Sequence, residues 1–102
     1  TWRRGAVFAV SRIVILISMN IRILFFASLR EKLGVGAEEV SLPEGVDTVG
    51  KLREFLSQRP GAWVSISSDT RLRAAVNQRM ADAATPVGEG DEVAFFPPVT
   101  GG

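Results

Sequence analysis

The most regular hydrophobic pattern in the chain is the alternation over Asn20–Phe26. A period of two is typical of a strand, and one face of it holds only apolar residues: Ile21, Ile23 and Phe25. The opposite face holds a charge and two further apolar residues: Arg22, Leu24 and Phe26. The segment therefore predicts a strand with one buried face, and Arg22 indicates that the other face meets water.

A helical spacing of apolar residues follows Thr48, which is a favourable residue for an N-cap. The apolar positions that recur at this spacing are Val49, Leu52, Phe55 and Leu56. Arg59-Pro60-Gly61 ends the pattern, so the sequence predicts one helix here. The next stretch, residues 62–71 (AWVSISSDTR), is rich in serine and predicts irregular chain or a short edge segment.

Further segments have the pattern of strands: one through Val40 and Leu42, one over Arg71–Asn77 and one over Glu92–Phe96. Asn77-Gln78 is able to turn the chain, and Met80 lies in a short piece after this turn. The first two strands can form a hairpin with a long connection that turns at Gly34-Val35-Gly36. The order of strand, strand, helix, strand, short piece and strand predicts an α+β fold. In this fold a helix covers one face of a mixed sheet.

Two phenylalanines fall on the wetter faces of their strands. Glu92 shares a face with Phe96, as Arg22 shares one with Phe26. If the first and last strands are neighbours, the two aromatic side chains form an exposed patch beside the C-terminal segment. Such a patch suits a protein partner. Single exposed aromatics are also common, and the N-terminal segment could cover this pair, so the pattern alone leaves both readings open.

Composition removes several classes of function. The 102 residues are 46% hydrophobic and 23% charged, which is typical of one ordinary domain with one core. Cysteine and histidine are absent, which excludes a thiolate nucleophile, an imidazole base and the usual zinc ligand sets. The net charge is +1 with no run of either sign, so nucleic acid is not an expected partner. Disulfides are impossible, and a cytoplasmic location is expected.

Residues 1–18 differ in pattern from the rest of the chain. Arginines precede a short apolar stretch, Arg12 interrupts it, and the apolar run Ile13–Ile17 follows. A membrane span needs about 20 apolar residues and a secretion signal needs a longer unbroken run, so neither is expected. We interpret residues 1–18 as an extension of uncertain role and place the start of the functional domain at Met19. The apolar run could still pair as an extra strand, or be adhesive if exposed.

The chain ends in FFPPVTGG, a segment that carries no side chain at its tip. Pro97 and Pro98 lack backbone donors and fix φ, so the last strand cannot continue and an extended tail leaves it. Gly101 and Gly102 have no Cβ, which lets the backbone pass through a narrow channel. A terminal carboxylate becomes a good electrophile once it is an acyl-adenylate, and sulfur or an amine can then accept the acyl group. Two terminal glycines can also be a frayed end, but this ordered series of aromatic, proline and glycine pairs favours a function.

Three segments together resemble a known family: IRILFFASLRE near the start, LRAAVNQ in the middle and GEGDEVAFFPPVTGG at the end. They look like the small subunit of molybdopterin synthase, a sulfur carrier with the ubiquitin-like β-grasp fold. The resemblance runs from Met19 to Gly102. It implies a β-grasp domain over residues 19–96 and a flexible diglycine tail over residues 97–102.

The resemblance also implies a reaction sequence in which this chain is not itself the enzyme. A ubiquitin-activating-like enzyme uses ATP to adenylate the carboxylate of Gly102, and a sulfur donor converts it to a thiocarboxylate. The tail then enters the large synthase subunit, where its sulfur passes to cyclic pyranopterin monophosphate. The other tail residues that would enter are Pro97, Pro98, Val99, Thr100 and Gly101.

The same resemblance implies an assembly of two small and two large subunits. The chain itself would bind no cofactor or metal. The apolar contacts with the large subunit would come from Phe26, Met80 and Phe96, in agreement with the strand parity of the two phenylalanines.

Other functions remain open beside the sulfur carrier. A ubiquitin-like protein modifier uses the same activation but joins its tail to a lysine amine. A sulfur carrier of the thiamine pathway shares the diglycine, although FFPPV is not expected there. A plain interaction module would bind a partner through the apolar patch and would not need the tail. None of these functions calls for nucleic acid or a membrane as a partner.

Overall fold

The computed structural model describes residues 19–98. Within this range the strands are β1 (Met19–Phe25), β2 (Ala37–Leu42), β3 (Arg73–Val76), β4 (Arg79–Ala81) and β5 (Glu92–Phe96). The helices are α1 (Ala27–Leu33), α2 (Val49–Ser57), the 3₁₀ helix η1 (Gly61–Val64) and the one-turn α3 (Ser65–Ser68). The predicted extension, residues 1–18, and the part of the predicted flexible tail from Val99 to Gly102 lie outside the described residues. The predicted division into extension, domain and tail therefore stays a prediction.

The strands form one mixed sheet in the order β2-β1-β5-β3-β4. β1 is antiparallel to β2 and parallel to β5, where Phe95 lies opposite Phe25. This confirms the hairpin of the first two strands, and it meets the condition for an aromatic patch, because the first and last strands are neighbours. Asn77 and Gln78 have φ of 51° and 69°, and they make the predicted tight turn between β3 and β4. With a helix against one face, this is the β-grasp arrangement, and the predicted fold class is confirmed.

One face of the sheet, the inner face, packs against α2 and forms the hydrophobic core. The alternation of apolar residues predicts this face correctly, because the inward residues at its centre are buried: Ile21, Ile23, Phe25, Val40, Leu42, Ala74, Val93 and Phe95. The core residues of α2 are also at most 1% exposed: Val49, Leu52 and Leu56. The side-chain oxygen of Thr48 accepts a hydrogen bond from the backbone N–H of Lys51 at 3.2 Å, which confirms the predicted cap.

The connection between β1 and β2 contains a helix that the sequence pattern does not predict. α1 buries only Leu29, and its N-cap, Phe26, has no side-chain oxygen to accept a hydrogen bond. The helix begins at Ala27, whose φ of 55° turns the chain sharply away from the sheet. It ends at Gly34, whose φ of 77° is the left-handed geometry of a helix C-cap. The predicted turn at Gly34-Val35-Gly36 is thus the end of a helix.

Residues 62–71 are largely helical, so the prediction of irregular chain or an edge segment is wrong. η1 and α3 occupy most of this stretch, and Ile66 is completely buried in the core. Arg53 of α2 holds the segment in place. Its guanidinium donates hydrogen bonds to the backbone carbonyls of Ile66 at 2.9 Å and Asp69 at 3.0 Å. The donor lies 13 or more positions earlier in the chain, so these bonds satisfy carbonyls of α3 and its C-cap without leaving a local sequence signal.

An ion pair closes the edge of the inner face. Glu38 of β2 lies opposite Ile23, and Arg59 donates to both of its carboxylate oxygens at 2.9 and 2.7 Å. These hydrogen bonds hold the pKa of Glu38 below its usual value and raise the pKa of Arg59. The guanidinium also stacks on Trp63 at 4.4 Å, and Trp63 meets Phe25 edge-on with ring centroids 5.4 Å apart. Arg59 therefore joins β2 to the helical segment.

Candidate functional site

The opposite face of the sheet, the outer face, carries exposed apolar side chains. Strand register places one apolar residue from each strand in a row across it, the apolar row: Ala37, Leu24, Ala94, Ala75 and Met80. Met80 is 66% exposed, and Leu24 and Ala94 are half-buried. Ala75 is buried among its neighbours, yet it is not part of the core cluster. The small alanines keep this row flat, which suits contact with another surface.

Phe26 and Phe96 lie at the end of the outer face from which the tail departs. The backbone N–H of Phe26 donates to the carbonyl of Phe95 at 3.1 Å, so the pairing of β1 with β5 continues for one step beyond the strand. Phe26 is 46% exposed and Phe96 is half-buried. The two aromatic residues therefore lie at the same end of the outer face, which favours the reading in which they form an exposed patch. Phe26, Met80 and Phe96, the predicted partner contacts, all lie on the outer face, whereas their role stays a prediction.

The base of the tail lies at the same end of the sheet. Pro97 and Pro98 follow β5 as half-buried residues outside the ladder, and neither has a backbone N–H that could extend it. Arg73 lies opposite Phe96 in the pairing of β3 with β5. Pro98, Arg71 and Arg73 line one cavity of about 450 Å³. The tail thus leaves the domain where the apolar face meets two arginines.

The remaining predicted site residues lie outside the described range: Val99, Thr100, Gly101 and Gly102. Four residues reach at most about 14 Å when fully extended. A partner that binds Gly102 must therefore come close to Pro98 and to the surface around it.

The polar interactions of the described residues have structural explanations. No group of three or more acidic residues within residues 19–98 is placed to hold a metal ion. No helix in the same range is long and apolar enough to cross a bilayer. Apart from Glu38 and Arg59, a pKa shift falls on Asp69, where the backbone N–H of Arg71 donates to the carboxylate at 3.0 Å and lowers the pKa. This bond closes the turn that leads into β3.

Sequence reasoning missed two residues of this face, Ala75 and Arg73. Strand parity places Ala94 on the same face as Glu92 and Phe96, and the structure agrees. Ala75 and Arg73 come next to Ala94 and Phe96 only because β3 pairs with β5. That pairing joins segments far apart in the chain, and no local pattern discloses it.

The mixed sheet with a helix against its inner face is the β-grasp fold of ubiquitin-like proteins, and this chain adds to it a C-terminal diglycine sequence. The model of the ThiS family matches residues 23–102, and the chain belongs to the ThiS family. It is homologous to sulfur carrier subunits of molybdopterin synthase. The subunit from Escherichia coli (strain K12) is 45% identical over 82 residues, which cover 80% of this chain and 99% of that protein.

Solved structures show the same relationship. A putative molybdopterin converting factor, subunit 1, from Pyrococcus furiosus is 31% identical, with a TM-score of 0.67 over 80% of this chain and 100% of that one. SAMP1 from Haloferax volcanii is 27% identical, with a TM-score of 0.65 over 81% of this chain and 99% of that one. The family match begins at residue 23, and each of these likenesses leaves about a fifth of this chain unmatched.

Proposed function

We propose that this chain is the sulfur-carrying small subunit of a molybdopterin synthase and that the carboxyl group of Gly102 carries the sulfur. The observation that carries the proposal is the departure of a diglycine-ended tail directly beside the exposed aromatic end of the outer face. The homology to the Escherichia coli sulfur carrier subunit supports the choice of pathway. The reaction takes place in the cytoplasm.

Charging of the tail requires two steps at the same carboxyl group. A carboxylate oxygen of Gly102 attacks the α-phosphate of ATP, pyrophosphate leaves, and an acyl-adenylate forms. A sulfur atom of the donor then attacks the acyl carbon and AMP leaves: hydrosulfide gives the thiocarboxylate directly, whereas a persulfide gives an acyl disulfide, from which a thiol of the donor system releases the thiocarboxylate as its own sulfur forms the new disulfide. A ubiquitin-activating-like enzyme supplies the catalytic groups for the adenylation. The thiocarboxylate is largely ionised at neutral pH, and this thiolate character makes its sulfur nucleophilic.

Discharge takes place in the large synthase subunit. The role of this chain there is to position its C-terminal sulfur in the active site. The outer face docks through Phe26, Met80 and Phe96 while the tail from Pro97 onward enters the active site. Because the prolines hold the tail extended before it binds, insertion costs less conformational entropy. The sulfur passes to cyclic pyranopterin monophosphate, and two such transfers build the dithiolene of molybdopterin. The complex contains two small and two large subunits, and the small subunit is a non-catalytic sulfur donor.

The mass of the C-terminal peptide tests this proposal. The chain is expressed with its activating enzyme and sulfur donor, purified, and digested under conditions that preserve thiocarboxylates. We expect a mass increase equal to the exchange of one oxygen for one sulfur, confined to the peptide that ends at Gly102. Deletion of Gly102, or addition of one glycine after it, removes the increase while the domain stays folded. An unchanged mass increase in both variants contradicts the proposal.

A protein modifier is a second candidate, and the likeness to SAMP1 favours it. Such a modifier follows the same activation but transfers its acyl group to a lysine amine of another protein. Gel analysis of cells that express the chain separates the two functions. A ladder of larger conjugates that disappears on deletion of Gly102 supports the modifier. A single species that carries sulfur supports the carrier.

Membership of the ThiS family also makes a sulfur carrier for thiamine synthesis a candidate. Deletion of the gene separates the two carrier functions. Loss of molybdenum enzyme activity with normal growth in the absence of thiamine supports the molybdopterin pathway. A requirement for added thiamine supports the other.

A further inference from the structure

The two ends of the outer face along the strand direction differ in their charged residues, with an exposed cation at one end and a net negative row at the other. At the tail end, Arg73 lies opposite Phe96 on the neighbouring strand and is exposed. At the far end, register aligns Glu39, Arg22 and Glu92 across β2, β1 and β5, a set that we call the far row. The far row carries one more negative than positive charge. Phe96 and Glu92 are four positions apart on β5, so about 13 Å separates the two ends.

The guanidinium of Arg73 takes part in none of the ion pairs found within residues 19–98. Those pairs join Lys51 to Asp47, Arg59 to Glu38 and Arg71 to Asp69. Arg53 is likewise occupied, because it donates to backbone carbonyls. Asp82 lines the same cavity as Arg73, but its carboxylate accepts hydrogen bonds within its own turn, from the Ala84 N–H and the Thr85 hydroxyl, and forms no ion pair with Arg73. Arg73 is therefore an exposed arginine at the tail end that has no ion-pair partner within residues 19–98. An exposed cation next to an apolar docking surface is costly to bury unless the partner provides an anion.

We propose, on the basis of the proposed function, that Arg73 pairs with a carboxylate of the large synthase subunit at the entrance to the site that receives the tail. The charge pattern then sets the direction of docking. An apolar surface alone attracts a partner in more than one orientation. A partner carboxylate that faces Arg73 favours the orientation in which the tail points into the active site. In the reversed orientation that carboxylate would meet the far row, and like charges would face each other.

Arg79 provides a matched control for this proposal. It is an exposed arginine of β4, but it lies opposite Val76, away from the tail end. By strand register it belongs to the inner face of the sheet, not to the outer face. Replacement of either arginine by glutamate changes the net charge by the same amount. Any effect of total charge on association is therefore the same for both variants. A difference in affinity between the two variants therefore requires a charged group of the partner close to the tail end.

Binding to the large subunit of the same organism, measured as a function of salt concentration, tests the pairing. We expect Arg73→Glu to weaken binding by about tenfold or more and to reduce its salt dependence, whereas Arg73→Lys stays within about threefold of the parent chain. Arg79→Glu changes affinity by about twofold at most. Arg73→Gln, which carries no repulsive charge, is the second variant and is expected to lie between the parent chain and Arg73→Glu.

A zero-length cross-link identifies the partner carboxylate. A water-soluble carbodiimide joins an amine to a carboxylate as an amide, and residues 19–98 contain only two lysines, Lys32 and Lys51. The lysine introduced by Arg73→Lys is expected to form a new cross-linked peptide with an Asp or Glu of the large subunit. Arg79→Lys is expected to form none.

The outcomes separate this inference from the proposed function. If the parent chain binds the large subunit and Arg73→Glu behaves as Arg79→Glu does, Arg73 has no partner carboxylate and the inference fails while the function stands. If the parent chain does not bind the large subunit at all, the function and the inference fail together. A cross-link from Arg73→Lys together with a selective loss of affinity in Arg73→Glu establishes the pair.

Discussion

Phe95 and Phe96 are adjacent in β5, yet they belong to two different surfaces. Phe95 is completely buried on the inner face and stacks against Phe25 with ring centroids 6.3 Å apart. Phe96 is half-buried on the outer face at the base of the tail. The same alternation separates Phe25 from Phe26 at the end of β1, where Phe26 is 46% exposed. Successive residues of these strands thus serve the core and the surface in turn.

The comparison shows how one short sheet can hold a stable core and a docking surface at once. Large side chains fill the inner face, whereas alanines occupy the centre of the outer face and leave it flat. Because a strand turns successive side chains to opposite faces, a substitution on one face does not have to disturb the other. Stability and partner binding should therefore respond to different residues of the same strands.

The largest expected effect is on stability, from Phe95→Ala. Removal of a fully buried phenylalanine loses its transfer free energy and leaves a cavity, which costs about 3–5 kcal/mol. Urea denaturation followed by the fluorescence of Trp63, which packs on Phe25 next to this site, measures the loss. The second tryptophan, Trp2, is replaced by phenylalanine in every chain of this comparison. A loss below about 1 kcal/mol would show that the inner face is not the core.

Phe96→Ala is the matched substitution on the outer face. We expect it to change the free energy of unfolding by less than about 1 kcal/mol, because the side chain is only half-buried. Binding to the large synthase subunit is expected to weaken by about 10- to 100-fold, as for an aromatic anchor at an interface. Calorimetric titration gives the affinity. Unchanged binding together with a large loss of stability would reverse the assignment of the two faces.

The edge of the inner face can be tested through Glu38→Gln. This substitution removes the ion pair with Arg59 and is expected to cost about 1 kcal/mol near neutral pH, with no change in partner binding. The pKa of Glu38 is lower in the folded chain than in the unfolded chain, so its contribution is present above the unfolded pKa. That contribution is lost as the pH falls through the folded pKa. The stability difference between the two chains should therefore shrink in acid, and a constant difference would exclude the pair as its cause.

The smallest expected effect concerns Ala27, where the chain leaves the outer face with φ of 55°. Glycine adopts this left-handed conformation without the steric cost that alanine bears, although it loses more entropy on folding. Ala27→Gly is expected to stabilise the domain by about 0.5 kcal/mol. Ala84→Gly, at an exposed position without positive φ, should be neutral or destabilising. Equal effects at both positions would show that Ala27 is not strained.

Sequence patterns were sufficient for those parts of the fold where a local signal and the tertiary structure agree. The bounds of β5, the cap at Thr48 and the turn at Asn77-Gln78 all follow from neighbouring residues. α1 escaped prediction because it is seven residues long, buries one side chain and has no N-cap side chain. Its signals were the spacing of Leu29 and Leu33 and the glycine that follows them. Residues 62–71 escaped because Arg53, a side chain of another helix, holds them.

The residues of the candidate site also fall into a group that the sequence predicts and a group that it does not. Strand parity alone placed Phe26 and Phe96 on the outer face, and the adjacency of β1 and β5 brought them to the same end of the sheet. The contribution of Ala75 and Arg73 depends on the pairing of β3 with β5, which only the folded chain reveals. Local composition therefore indicated the tail and its aromatic base, whereas the surface around them required the strand order.

A single-turnover sulfur transfer tests the central claim most directly. The chain is prepared by peptide ligation with a thiocarboxylate already at Gly102, so that the activating enzyme and the sulfur donor are not needed. It is then mixed with the large subunit and cyclic pyranopterin monophosphate. We expect the thiocarboxylate to return to a carboxylate as the dithiolene product forms, with two loaded chains consumed for each product. Product formation at the same rate from a chain with an ordinary carboxylate, or full retention of the sulfur at Gly102, would contradict the account.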